Sequence, residues 1–259
     1  MMILRSILFQ VAFYLSLFVL LVVGLPTLLI GPLHPLTFPR AWGRVSLWLL
    51  RVICGMRVEF RGVENIPHGG VIVAPKHQST WETFALLPFF PDFAFIVKKE
   101  LTWIPFFGWY LYGARQIAVD RARGKSALSQ AARLGGAALA AGRQLFIFPE
   151  GTRRPAGAAP LYKFGVAQIY ERCESPCLPI ALNAGLFWPR RSFIKRPGVV
   201  LVEFLPVIPA GLEKSAFMAC LQDAIETATD RLMAESIAAD PSLARNLVAD
   251  PSATARMGA

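Results

Sequence analysis

No charged side chain occurs between Ile7 and Ile30, and that run, ILFQVAFYLSLFVLLVVGLPTLLI, limits the possible folds more than any other feature. So long an uncharged stretch cannot lie in water as a loop. About 20 apolar residues are enough to cross a bilayer as a helix. Gly24 and Pro26 interrupt the run only near its end. A secretory signal is the competing reading. Its apolar core would be shorter, and no A-x-A-like site follows. An uncleaved membrane anchor is therefore expected. Composition agrees: 54% of residues are apolar and 17% charged, respectively above and below the range usual for soluble domains.

The 27 Lys and Arg exceed the 17 Asp and Glu, giving a formal charge of +10. That balance suits an anionic bilayer, a phosphorylated lipid or an acidic carrier protein. Nucleic acid would suit the charge but not the apolar composition, and is not expected as a partner. Cys54, Cys173, Cys177 and Cys220 form no CxxC pair and have no histidine nearby. They read as reduced, packed cysteines with no metal to hold.

After a proline-rich break comes AWGRVSLWLLRVICG, Ala41 to Gly55. Ala41, Val45, Trp48, Leu49 and Val52 recur at helical spacing, with Arg44 and Arg51 on another face. This is either an interfacial amphipathic helix or a core helix with two solvated arginines. Arg40, Arg44, Arg51, Arg57 and Arg61 follow the anchor and Arg5 precedes it. The positive-inside rule then puts the body on the cytoplasmic side of the cytoplasmic membrane.

From Val58 onward, short β-rich runs alternate with helical segments. The runs start at Val58, Val71, Phe93, Ile117, Leu145, Leu178 and Val199; the helices cover Thr80–Leu87, Lys125–Ala141, Gly165–Arg172 and a last one through Phe217, Leu221, Ile225 and Leu232. The pattern predicts an α/β fold, a mixed sheet flanked by helices. Three parts are expected: an anchor and interfacial helix over 1–57, one domain over 58–239, and a flexible tail over 240–259.

Three segments can carry chemistry. In APKHQSTWETF, His77 follows a strand and Glu82 lies five positions on, at the start of a helix. A carboxylate on one ring nitrogen fixes the tautomer and leaves the other nitrogen as a base. The plain alternative is a surface histidine beside a capped helix. In LFIFPEGTRRP, Gly151 permits a tight turn and Arg153 offers a planar fork for a phosphate monoester. Glu150 can orient that arginine or a substrate hydroxyl; alone, the segment would read as an ordinary polar turn. In KKELTWIPFFGWYLYGARQIAVDR, Lys98, Lys99 and Arg121 stand at strand ends. Trp103, Phe106, Phe107, Trp109 and Tyr110 can dip into lipid, line an acyl groove, or simply pack.

Together the three segments resemble the phospholipid/glycerol acyltransferase family. That family shows H-x-x-x-x-D, a lysine- and proline-bearing segment, F-P-E-G-T-R and a proline-bearing strand, in that order. Here they run His77 to Glu82, Lys98 to Gly108, Phe148 to Arg153, and LPIALNAGLFW from Leu178. Glu82 departs from the family's aspartate; its extra methylene moves the carboxylate by about 1.5 Å. The resemblance implies acyl transfer from an acyl carrier protein or CoA thioester to the sn-2 hydroxyl of 1-acylglycerol-3-phosphate, without metal or cofactor. His77 would be the base and Glu82 its support. Arg153 with Lys98 and Arg121 would hold the phosphate, while Glu150, Gly151 and Thr152 would belong to the acceptor pocket. The alternatives are another lysophospholipid or lyso-aminolipid as acceptor, or a lipid-binding protein without catalysis.

Overall fold

Most of the seven β-rich runs are almost unbroken in apolar residues, which suits strands covered on both faces, while the run from Val58 carries charges and forms an edge strand. In the computed structural model, which describes residues 1–28, 36–120, 122 and 124–248, each forms a strand. They are β1 (Met56–Arg61), β2 (Val71–Pro75), β3 (Phe93–Lys98), β4 (Ile117–Val119), β5 (Gln144–Phe146), β6 (Cys177–Leu182) and β7 (Gly198–Phe204). They make one mixed sheet in the order β1-β7-β6-β2-β5-β3-β4. Strands β2 to β6 run parallel to one another, β7 is antiparallel to β6, and β1 is parallel to β7. The carboxyl ends of β2, β5 and β3 therefore lie side by side on one edge.

Alternation within the strands feeds two cores. Val71 and Val73 of β2 face one layer with Leu178, Ile180 and Leu182 of β6. Ile72 and Ala74 face the other, with Leu145, Cys177 and Ala181. The first layer is closed by α1 (Met2–Gly24), α2 (Thr37–Leu49), α3 (Glu82–Ala85) and α7 (Ala184–Phe187). The second is closed by α5 (Lys125–Ala140), α6 (Gly165–Cys173) and α8 (Lys214–Ala239). The short α4 (Phe107–Gly113) sits against the end of α1, where the Tyr110 hydroxyl donates to the Leu21 carbonyl at 3.0 Å. Tyr110 is thus a packing residue, whereas Trp103 and Trp109 stay exposed.

Helix α1 is long and apolar enough to cross a membrane, by length and composition. It also shares the body's core. Phe9 and Phe13 are buried against Trp42, Phe84 and Trp188. Lys195 reinforces the seat. Its ammonium reaches Gln10 Oε1 at 2.6 Å, and its backbone N–H donates to Ser6 Oγ at 3.0 Å. Burial lowers the Lys195 amine to about 8. The opposite stripe, including Leu8, Val11, Leu15 and Phe18, is exposed.

The segment after the anchor packs inward through Gly43 and Ser46 of α2 and through Leu50 just beyond it, which leaves the stripe through Trp48 and Val52 outside. Gly43 decides this: a Cβ there would lie 2.5 Å from the Phe84 carbonyl oxygen, so only glycine lets α2 lie on α3. Trp48 and Val52 are instead exposed beside Arg44 and Arg51. One expectation needs correction: the tail, expected to be flexible from residue 240, starts ordered. Pro241–Asn246 forms a 3-10 turn with Leu243 buried, and the Val248 N–H donates to the Ala156 carbonyl. Residues 249–259 lie outside the described residues.

If α1 is seated by its aromatic stripe, Phe13→Ala should destabilise the protein by about 3–5 kcal/mol, the usual cost of emptying a buried phenyl site. Phe18→Ala, on the exposed stripe, should leave the melting temperature nearly unchanged. Thermal melts of the detergent-solubilised chain check this; equal shifts for the two variants would contradict the seat.

Candidate active site

His77 lies on the turn that leaves β2, before the first turn of α3. Its position is fixed from several directions. The ring Nδ1 is 2.9 Å from Glu82 Oε1, and the ring stacks on Phe148 with centroids 3.9 Å apart. Its peptide N–H donates to Glu150 Oε2 at 2.9 Å, and its carbonyl accepts from the Arg154 N–H at 2.7 Å. A carboxylate on Nδ1 makes that nitrogen the protonated one and leaves Nε2 with its lone pair outward. The histidine side chain is 13% exposed and the Glu82 side chain fully buried.

Glu82 reaches the ring despite its extra methylene. Oε1 also accepts the Ser79 N–H at 2.7 Å, so one oxygen both closes the turn and orients the imidazole. Its other oxygen is buried without a protein partner among the described residues. Glu82 is the first residue of α3, so the start of that helix fixes where its side chain begins.

The segment after β5 closes over this turn. Gly151 turns at φ +65°, a left-handed conformation that suits glycine. Arg153 Nη1 donates to Thr80 Oγ1 at 2.6 Å, and no carboxylate pairs with its guanidinium among the described residues. Gly151 and Thr152 are exposed. Lys98 is exposed at the end of β3, the strand beside β5 on the same edge. Arg121 lies outside the described residues.

Glu150 differs from expectation. It is fully buried, and both oxygens are engaged within the protein. Oε2 holds the His77 N–H, while Oε1 pairs with Lys76 Nζ at 2.9 Å. It therefore neither orients Arg153 nor faces an acceptor hydroxyl. Lys76 also pairs with Glu226 Oε1 of α8 at 2.6 Å, and that oxygen accepts the Tyr162 hydroxyl at 2.8 Å. Burial pushes the Glu150 carboxyl up, opposed chiefly by the adjacent Lys76 ammonium. The Tyr162 phenol is raised by burial and by Glu226. Sequence reasoning missed Lys76, Tyr162 and Glu226. The one available signal was a lysine inside an otherwise apolar strand end, which demands a buried partner.

Known proteins resemble the chain in sequence and in fold. The acyltransferase family model matches residues 57–183, the span that holds His77, Glu82 and Arg153. A 1-acyl-sn-glycerol-3-phosphate acyltransferase of Pseudomonas aeruginosa is 42% identical over 194 residues, covering 75% of this chain and 76% of the relative. The human 1-acyl-sn-glycerol-3-phosphate acyltransferase alpha is 27% identical over 169 residues, and the match spans 64% of this chain and 60% of the human one. The crystal structure of the 1-acyl-sn-glycerophosphate acyltransferase of Thermotoga maritima shares the fold, with a TM-score of 0.74 at 23% identity, over 90% of this chain and 98% of that one. Matched in sequence across the segments that build the His77 turn, and in fold across nearly its whole length, the chain belongs to the acyltransferase family.

Proposed function

We propose that the protein transfers a fatty acyl group from a CoA or acyl carrier protein thioester to the sn-2 hydroxyl of 1-acylglycerol-3-phosphate, giving phosphatidic acid. The observation that carries the reading is the His77–Glu82 contact at 2.9 Å, beside an arginine that holds Thr80 of the same turn and has no carboxylate partner among the described residues. His77 Nε2 takes the hydroxyl proton as the oxygen attacks the thioester carbonyl. The tetrahedral intermediate collapses with cleavage of the C–S bond, and the imidazolium returns the proton to the departing sulfur. Glu82 holds the ring and stabilises its charged form. Arg153 binds the phosphate with Lys98, whose strand ends beside that of β5. The reaction draws on no metal or prosthetic group, the thioester being a co-substrate.

The lipid substrate also suits the exposed surface. The outer stripe of α1 and the Trp48–Val52 stripe of α2, flanked by Arg44 and Arg51, fit a bilayer interface. The excess of arginines after α1 supports a cytoplasmic position for the body.

Arg153→Lys tests the acceptor. A guanidinium forms two parallel bonds to one phosphate, which an ammonium cannot reproduce. Efficiency with 1-acylglycerol-3-phosphate should fall about ten- to a hundredfold, the worth of one charge-assisted bond. An acceptor lacking the phosphate monoester should be used poorly by the parent and be little affected by the change. Equal losses for both acceptors would make Arg153 a brace for Thr80 only. A parent that prefers the acceptor without a monoester would shift the assignment to another lysolipid.

A further inference from the structure

The cluster behind the His77 turn serves no purpose in the reaction as written above, yet it is the most buried group of charges among the described residues. Lys76 is 3% exposed and Glu150 is fully buried. Lys76 Nζ joins Glu150 at 2.9 Å and Glu226 at 2.6 Å, and sits 5.8 Å from the centre of the Tyr162 ring. Tyr162 and Lys76 donate to the same oxygen of Glu226.

Three separate parts of the chain meet there. Lys76 directly follows β2, Tyr162 belongs to the loop before α6, and Glu226 projects from α8. Burying such a cluster costs more than an apolar patch of equal volume. What the expense secures is geometry. The Lys76 N–H still donates to the Ile180 carbonyl of β6, but the turn from His77 to Ser79 has left the sheet and has not entered α3, so no ladder fixes the His77 N–H. That N–H is held by Glu150 alone, and Glu150 is held by Lys76.

We propose that Lys76, Glu226 and Tyr162 are positioning residues of the acyl transfer, a buried relay through which α8 fixes the Glu150 carboxylate and, through it, the His77 backbone. The proposal rests on His77 being the base. It makes α8 part of the catalytic apparatus although that helix contributes no group to the reacting atoms. A shift of His77 by about 1 Å can cost about a hundredfold in rate without changing what binds.

The test uses the full chain in detergent micelles, with 1-acylglycerol-3-phosphate and an acyl-CoA. Glu226→Gln is nearly isosteric and keeps an oxygen for Tyr162; Tyr162→Phe removes only the hydroxyl. Both should fold. Each should lower kcat about ten- to a hundredfold with KM for either substrate within about twofold of the parent, since no bound group is touched. The double variant should be little worse than Glu226→Gln alone, because the two groups act in one chain.

Lys76→Met adds a readout that space-filling would not give. Glu150 then faces Glu226, Tyr162 and the His77 N–H without a cation, and loses the chief influence that opposes its raised pKa. Its carboxyl stays protonated to higher pH, and a neutral acceptor holds the His77 N–H more weakly than an ionised one. The ratio of variant to parent turnover should therefore rise with pH. The sign for stability is opposite: a carboxyl raised above its unfolded value favours the fold at low pH and loses that contribution as pH rises through the raised value. Turnover is accordingly read well below the melting temperature at each pH.

His77→Ala is assayed alongside. If it is inactive while Glu226→Gln and Tyr162→Phe turn over like the parent, the relay is refuted and the base stands. A raised KM with unchanged kcat would place the cluster in a substrate pocket, and a pH-independent Lys76→Met ratio would make that lysine a space-filler; either overturns the proposal. An active His77→Ala would remove both readings together.

Discussion

His77→Ala is expected to lower turnover by about 10²–10⁴-fold, the usual contribution of a positioned general base, while the protein stays folded. The geometry explains both halves of the expectation. Nδ1 is committed to Glu82 at 2.9 Å, and Phe148 fixes the ring plane by stacking at 3.9 Å. The remaining nitrogen is the only basic atom of the ring left for a hydroxyl proton. The ring itself is partly exposed and fills no large site in either core, so alanine leaves no deep cavity. The backbone bonds from His77 to Glu150 and Arg154 survive the change. A melting curve within a few degrees of the parent, beside an acyl-transfer assay at saturating substrates, makes the comparison. Near-parental turnover in the folded variant would take His77 out of the mechanism.

The second large effect concerns Glu82→Gln, expected to lower kcat by about 10²–10³-fold with little change in KM. The carboxylate accepts at Oε1 from both His77 and Ser79 and is fully buried. An amide cannot serve both partners without burying an unpaired NH₂ or turning that NH₂ toward the ring. Turned that way, it moves the imidazole proton onto Nε2, where the base should be empty. It also withdraws the charge that stabilises the imidazolium. Glu82→Asp should stay within about tenfold of the parent, because charge and acceptor remain and only about 1.5 Å of reach is lost. Equal activity for Gln and Glu would make the carboxylate a turn-former that serves Ser79 alone.

How much of this was legible in the sequence follows from the kind of interaction involved. The seven strands could be read because their β-branched and aromatic runs are bounded by Gly, Pro and polar breaks. Helices α5, α6 and α8 could be read for similar reasons. The His77–Glu82 contact was legible because it is local, five residues across one turn. Arg153 stood in its motif, but its partner Thr80 is 73 positions away. The role of Glu150 was misread because its partners, Lys76 and the His77 N–H, come from another strand end. The packing face of α2 was not legible, because apolar periodicity draws the eye to large side chains. The true contact face is small, set by Gly43 and Ser46 under the Phe84 backbone.

The order of strands sets a timetable for synthesis. Strand β1 pairs with β7, and β7 begins about 140 residues later in the chain. At roughly 5–20 residues per second, β1 waits about 7–30 s on the ribosome before its neighbour emerges. The core that receives Phe9 and Phe13 of α1 also contains Val200, Val202 and Phe204 of β7. Helix α1, which leaves the ribosome before every strand of the sheet, is thus among the last elements to find its complete protein seat. In that interval its aromatic stripe is covered only if lipid or a chaperone takes it. The N-terminal helix thus shares a core that only the last strand of the sheet completes.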